Sequence, residues 1–115
     1  MPLAPPPKPL PIIQKLIAAY KVWHKSLPYF PKTSRYTLGG KINTLFLDLL
    51  ELLITAHYAK KRAIYIERAI IKLDLLKFFL QLAWEMKLLS DKRYISLSEK
   101  LNEVGRMLGG WRKSL

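Results

Sequence analysis

The 115-residue chain has no cysteine. That absence removes disulfides, thiolate zinc sites and cysteine nucleophiles together, and it fits a reducing compartment. Acid is scarce too, with 8 Asp and Glu against 20 Lys and Arg. Long hydrophobic runs are missing: the most apolar stretch, Leu45 to Ala56, is interrupted by Asp48 and Glu51 and falls short of the roughly 20 residues of a membrane span. Six of the eight prolines lie between Pro2 and Pro11, where a secretory signal would need an apolar helix. A cytoplasmic protein that does not engage a membrane is expected.

Catalytic constellations are missing as well. Di-metal sites in helical bundles use Glu-x-x-His on facing helices, but the residues three before His24 and His57 are Lys21 and Ile54. The five glycines form no Gly-x-x-x-x-Gly-Lys phosphate loop, and no Ser-His-Asp signature or paired acidic motif is present. The expectation is a chain that is not an enzyme and has no metal, no cofactor and no catalytic residues.

What is present is positive charge and apolar helix. The formal net charge is +12 and the sequence pI about 10.1, an excess that seeks polyanions. Half of the residues are apolar, enough for a core, and the length suits one domain. Residues 1–11 read as a proline-rich flexible lead, either a frayed tail or a strap for a partner. Residues 12–115 read as a four-helix bundle, with helices at about 12–27, 34–61, 64–89 and 91–113. Pro28 and Pro31 stop the first helix, Thr33 or Ser34 can cap the second, and Ser90 can cap the fourth. The fold class expected is all-α, an antiparallel up-down bundle.

The helix faces carry further information. The first helix is amphipathic, with Ile12, Ile13, Leu16, Ile17, Tyr20, Trp23 and Leu27 on one side and Lys21 and Lys25 on the other. In the second, polar residues form only a narrow stripe through Thr37, Lys41, Thr44, Asp48, Glu51 and Thr55. The third repeats that pattern. Two helices apolar over most of their circumference exceed what one interior seam absorbs, so a homo-oligomer is expected; the alternative is a twisted bundle that hides both faces. Gly39-Gly40 and Gly105, Gly109 and Gly110 fall within helical pattern and suggest close helix approach. Nucleic acid is the favoured polyanion over lipid. The apolar face of the first helix is needed as core, whereas phosphate contacts require only an electrostatic surface.

Two stretches are distinctive: residues 31–39, Pro-Lys-Thr-Ser-Arg-Tyr-Thr-Leu-Gly, and residues 103–111, Glu-Val-Gly-Arg-Met-Leu-Gly-Gly-Trp. With the Lys72-to-Phe78 stretch, they resemble the signature segments of the accessory variability determinant (Avd) proteins of diversity-generating retroelements. The related ribosomal-RNA intervening-sequence proteins share the bundle and a similar ending. The resemblance implies a basic, barrel-like homopentamer that binds the element's reverse transcriptase and template RNA, with cDNA a further candidate, in support of mutagenic cDNA synthesis. The alternative is a structural or interaction bundle of the intervening-sequence type, its basic surface meeting protein or nucleic acid in general. Residues expected at the nucleic-acid or polymerase surface are Lys21, Lys25, Lys32, Arg35, Arg106, Arg112 and Lys113. Arg35 has a second reading as a cap or brace of the bundle, and Trp111 reads as packing.

Overall fold

The computed structural model describes residues 10–115, so residues 1–9 of the proline-rich lead lie outside the described residues. Helix α1 (Pro11–Ser26) opens on a proline, whose missing N–H would have had no intrahelical partner and whose ring presets φ. A 3-10 turn (Leu27–Tyr29) leads into α2 (Lys32–Tyr36), followed by α3 (Leu38–Tyr58), α4 (Ala63–Glu85) and α5 (Asp91–Lys113).

Two expected boundaries are corrected. The helix read over 34–61 is two helices, because Thr37 leaves helical geometry at φ −102° and ψ −91°. Neither Thr33 nor Ser34 caps it: Pro31 holds the cap position, and the Thr37 hydroxyl donates to the Thr33 carbonyl at 2.8 Å. The offset lays the 27–34 segment against the start of α3. A Cβ at Gly39 would lie 2.7 Å from Leu27 Cδ1 and 3.2 Å from the Ser34 carbonyl oxygen, so that contact depends on glycine. The helix read over 64–89 ends at Glu85. Lys87 takes a left-handed φ of 62°, and the amides of Lys87 and Leu88 close on the carbonyls of Trp84 and Ala83, each at 2.9 Å, a Schellman ending. Ser90 does cap α5, its hydroxyl oxygen accepting from the Arg93 amide at 3.2 Å, with Asp91 in the favourable first turn.

The four long helices close a ring in which α1 packs on α3, α3 on α4, α4 on α5 and α5 on α1. Short connections at residues 59–62 and 86–90 make successive helices antiparallel. The core takes Leu16, Ala19 and Trp23 from α1 and Ile42, Phe46, Leu49 and Leu53 from α3. It takes Ile66, Leu76 and Leu80 from α4, and Leu97, Leu101, Val104 and Leu108 from α5. Trp23 is its largest member. Phe30 meets its ring edge-on at 5.4 Å, Phe46 stacks at 6.1 Å, and its indole N–H donates to Asn43 Oδ1 at 3.2 Å. The Tyr20 hydroxyl donates to the same oxygen at 2.9 Å, so one α3 side chain satisfies two α1 donors.

The apolar excess of the second and third sequence helices lies on the surface rather than inside. On α4, Ile64, Ile71, Leu75, Phe78 and Leu82 are exposed and follow one another at spacings of 7, 4, 3 and 4, the interval of a coiled-coil seam. On α3, Leu47, Ile54 and Tyr58 form a parallel exposed stripe. Beside the α4 stripe, Ile71 and Leu75 line an open groove between α3 and α4 together with Leu52 and the charged Glu51 and Arg68, crossed by an ion pair, Lys72 Nζ to Asp48 Oδ2 at 3.7 Å. The glycine expectation is corrected in part. A Cβ at Gly105 would meet Leu73 only at ordinary contact distance, and one at Gly40, Gly109 or Gly110 would meet nothing within 4 Å, so these do not mediate close packing inside the bundle.

Candidate nucleic-acid interface

The ring order places charge and apolar surface on different sides. α3 and α4 together carry four basic residues, Lys41, Arg68, Lys72 and Lys77, against five acids, Asp48, Glu51, Glu67, Asp74 and Glu85. α1 has Lys15, Lys21 and Lys25 and no acid, and its neighbour α5 has six basic residues against three acids. The electropositive side is therefore the α1–α5 side, and α4, which bears the main apolar stripe, stands diagonally opposite α1.

Within that side the seven expected residues do not form one cluster. Lys21 and Lys25 lie one turn apart on exposed α1, and Lys32 opens α2 just beyond. These three belong to the end of the bundle where α5 begins. Arg112 and Lys113 close α5, about 30 Å away at 1.5 Å of rise per residue, and Arg106 lies between. Arg106 is exposed but paired with Glu103 one turn earlier, and that guanidinium, by hydrogen bond and then by charge, holds the Glu103 carboxyl below the usual glutamate range. Lys15 adds a smaller effect of the same sign, which places it on the α5 side of α1. Arg112 is committed across helices, its Nε 2.8 Å from Glu67 Oε1 of α4.

Arg35 is tied inward. One terminal nitrogen donates to the carbonyls of Pro28 at 3.0 Å and Phe30 at 3.1 Å, and its Nε is buried without a hydrogen-bond partner. The guanidinium thus clamps the turn between α1 and α2, the bracing role open to it in the sequence. Trp111 is half-buried against the core.

Several basic residues outside the expected set also reach solvent. Lys15 on α1, Lys92 at the start of α5, and Lys60 and Lys61 in the α3–α4 connection are exposed. The signal for them was the same positive charge, but position on a helix wheel gives no end-to-end placement. Arg62, beside them, folds back to donate to the carbonyls of His57 and Ala59. His57 lies against Tyr58 and His24 tilts against Tyr20 at the surface. Among the described residues no three His, Cys, Asp or Glu side chains converge on a common point, and no described helix is long and apolar enough to cross a membrane.

The pattern of the bAvd-like family matches residues 11–115, from the first residue of α1 to the end of the chain. The chain belongs to the bAvd-like family. That family is one of accessory proteins of diversity-generating retroelements rather than of known enzymes. A comparison with curated proteins gave no match. As a bAvd-like protein the chain carries both resembling segments on the bundle framework: residues 31–39 form the braced α1–α3 corner, and residues 103–111 lie in the last three turns of α5.

Proposed function

We propose that this bAvd-like chain is the non-catalytic accessory subunit of a diversity-generating retroelement, acting in the cytoplasm on the reverse transcriptase and its template RNA. The observation that carries the reading is the segregation of surface. An acid-free lysine face on α1 lies beside net-positive α5, diagonally opposite an uncharged apolar stripe on α4. Copies of the chain associate through the α3–α4 stripes as a ring, a homopentamer, and the basic α1–α5 sides of successive copies then join into one polyanion-binding surface. Polymerase chemistry belongs to the partner. The accessory chain supplies positioning, because phosphate contacts by lysine and arginine hold a strand in register without reading its bases.

The test is charge reversal in two groups. Lys21→Glu, Lys25→Glu and Lys32→Glu form one variant, and Arg106→Glu, Arg112→Glu and Lys113→Glu the other. Template RNA is followed by electrophoretic retardation and the reverse transcriptase by co-purification. Each group is expected to weaken one or both associations while sedimentation of the oligomer is unchanged, and wild-type RNA affinity should fall steeply between about 50 and 300 mM salt. Full retention of both partners by both variants refutes the assignment.

A further inference from the structure

The end of the bundle where α1 stops and α5 starts carries a group of rings that the charge argument does not use. Tyr29, in the 3-10 turn, is 69% exposed although the Arg93 guanidinium lies over one ring face at 4.1 Å from the centroid. The opposite face is therefore open to solvent. Trp84 lines the same shallow hollow together with Lys87 and Arg93. Its indole stacks on Tyr94 at 5.2 Å with 18° between the planes, and its N–H donates to Asp91 Oδ1 at 2.7 Å.

Rings this exposed are not core, and both are held rather than loose, Tyr29 under the Arg93 guanidinium and Trp84 between Tyr94 and Asp91. The Schellman ending of α4 and the Ser90 cap of α5 fix both sides of the turn, and the hydrogen bond to Asp91 fixes the indole. Lys87 occupies a left-handed corner that suits glycine better, and there it carries a positive charge to the wall of the hollow. Six cations, Lys21, Lys25, Lys32, Lys87, Lys92 and Arg93, belong to this end besides the clamped Arg35, against two acids, Glu85 and Asp91. Both acids are engaged, Asp91 by Trp84 and Glu85 by Gln81.

We propose that this end is a stacking platform for unpaired bases of RNA, with Tyr29 and Trp84 each offering a ring to a base and Lys87 and Arg93 holding the adjoining phosphates. Flat rings pinned in place beside cations are what sequence-tolerant single-strand binding uses, since every base has a π-face and the rings need no ordering on contact. A duplex buries those faces and gains only the cations. The inference rests on the nucleic-acid reading above and adds to it that the strand bound here is single and that its bases, not only its phosphates, contribute.

The test uses the full chain and three fluorescent probes at one low salt concentration: a 15-nucleotide oligouridylate, an abasic strand of equal length and a duplex of equal length. Wild type is expected to bind the oligouridylate about tenfold more tightly than the abasic strand. Tyr29→Leu is expected to diminish that preference, with Trp84 retaining the remainder, and Tyr29→Phe to keep it, both melting as wild type does because the ring is exposed. Quenching of tryptophan fluorescence on binding oligouridylate should diminish in Trp84→Phe. Equal wild-type affinity for the oligouridylate and the abasic strand, or an undiminished preference in Tyr29→Leu, overturns the platform and leaves phosphate binding standing. Failure to bind any of the three probes overturns the nucleic-acid reading as well.

Discussion

Phe78 gives the sharpest test of how the bundle assembles. It lies within the exposed α4 stripe, 71% exposed, with Ile71 at 62% two turns before it. Full burial of such a side chain is worth about 1.5–3 kcal/mol, so the exposed share of the Phe78 ring makes about 1–2 kcal/mol available to an interface. The five α4 side chains together offer about 4–8 kcal/mol on the same basis. Association costs about 4–15 kcal/mol, so α4 alone is marginal and the parallel α3 stripe of Leu47, Ile54 and Tyr58 has to take part. Phe78→Glu removes the ring contribution and sets a carboxylate against apolar surface. At about 3 kcal/mol or more in all, it should weaken association over 100-fold. Its fold should hold, because a change at so exposed a position shifts stability by about 0.5 kcal/mol or less. Sedimentation velocity at about 10–50 μM, a range where a micromolar-affinity oligomer is populated, should show an oligomer for wild type and a monomer for Phe78→Glu with an unchanged melting temperature. A monomeric wild type, or an oligomeric Phe78→Glu, refutes the reasoning.

Three further outcomes are expected. Asn43→Ala strands the indole N–H of fully buried Trp23 and frees the Tyr20 hydroxyl, and should cost about 2–4 kcal/mol in chemical denaturation; the loss should shrink in a Trp23→Phe background, which lacks the indole donor. Gly39→Ala places a methyl against Leu27 and the Ser34 carbonyl and should destabilise by about 1–3 kcal/mol, whereas Gly40→Ala, with open space at its Cβ, should stabilise by about 0.5–1 kcal/mol in the same assay. The Glu103 carboxyl should titrate below the usual glutamate range by NMR and move upward in Arg106→Gln. Because its folded pKa is depressed, the stability linked to it is complete above the unfolded pKa and is lost as pH falls through the folded one.

How much of this was legible in the sequence differs by element. α5 was readable end to end, because Ser90 and Asp91 are local start signals and the interval of Leu97, Leu101, Val104 and Leu108 is itself the helix repeat. The Thr37 break was not. No proline or glycine stands at 37; there Leu27 and Phe30 pack over Gly39 of α3 while Arg35 ties α2 back to the 28–30 turn, contacts that no local start or stop signal marks. The end of α4 was missed for a related reason. A lysine in the left-handed corner carries no sequence mark, whereas glycine there would have announced the stop. Among the site residues, positive charge was legible and partnership was not. Arg106 and Arg112 read alike as free cations, yet one pairs within its helix and one bridges two helices, while for Arg35 the bracing alternative, not the surface one, is what its clamp on the turn fits.

By itself the sequence determined the all-helical class, the +12 charge and an apolar excess beyond one core, since each follows from composition and local periodicity. Only the tertiary structure decided how these combine. Closing the ring α1–α3–α4–α5 sets the apolar stripe of α4 diagonally opposite the lysines of α1. The antiparallel course of the helices also parts the expected basic residues to two ends of one face and brings Tyr29 of the first turn beside Trp84 and Arg93 of the last. Helix periodicity fixes the side on which a residue lies; which helix faces that side, and at what height, depends on packing between elements far apart in the chain.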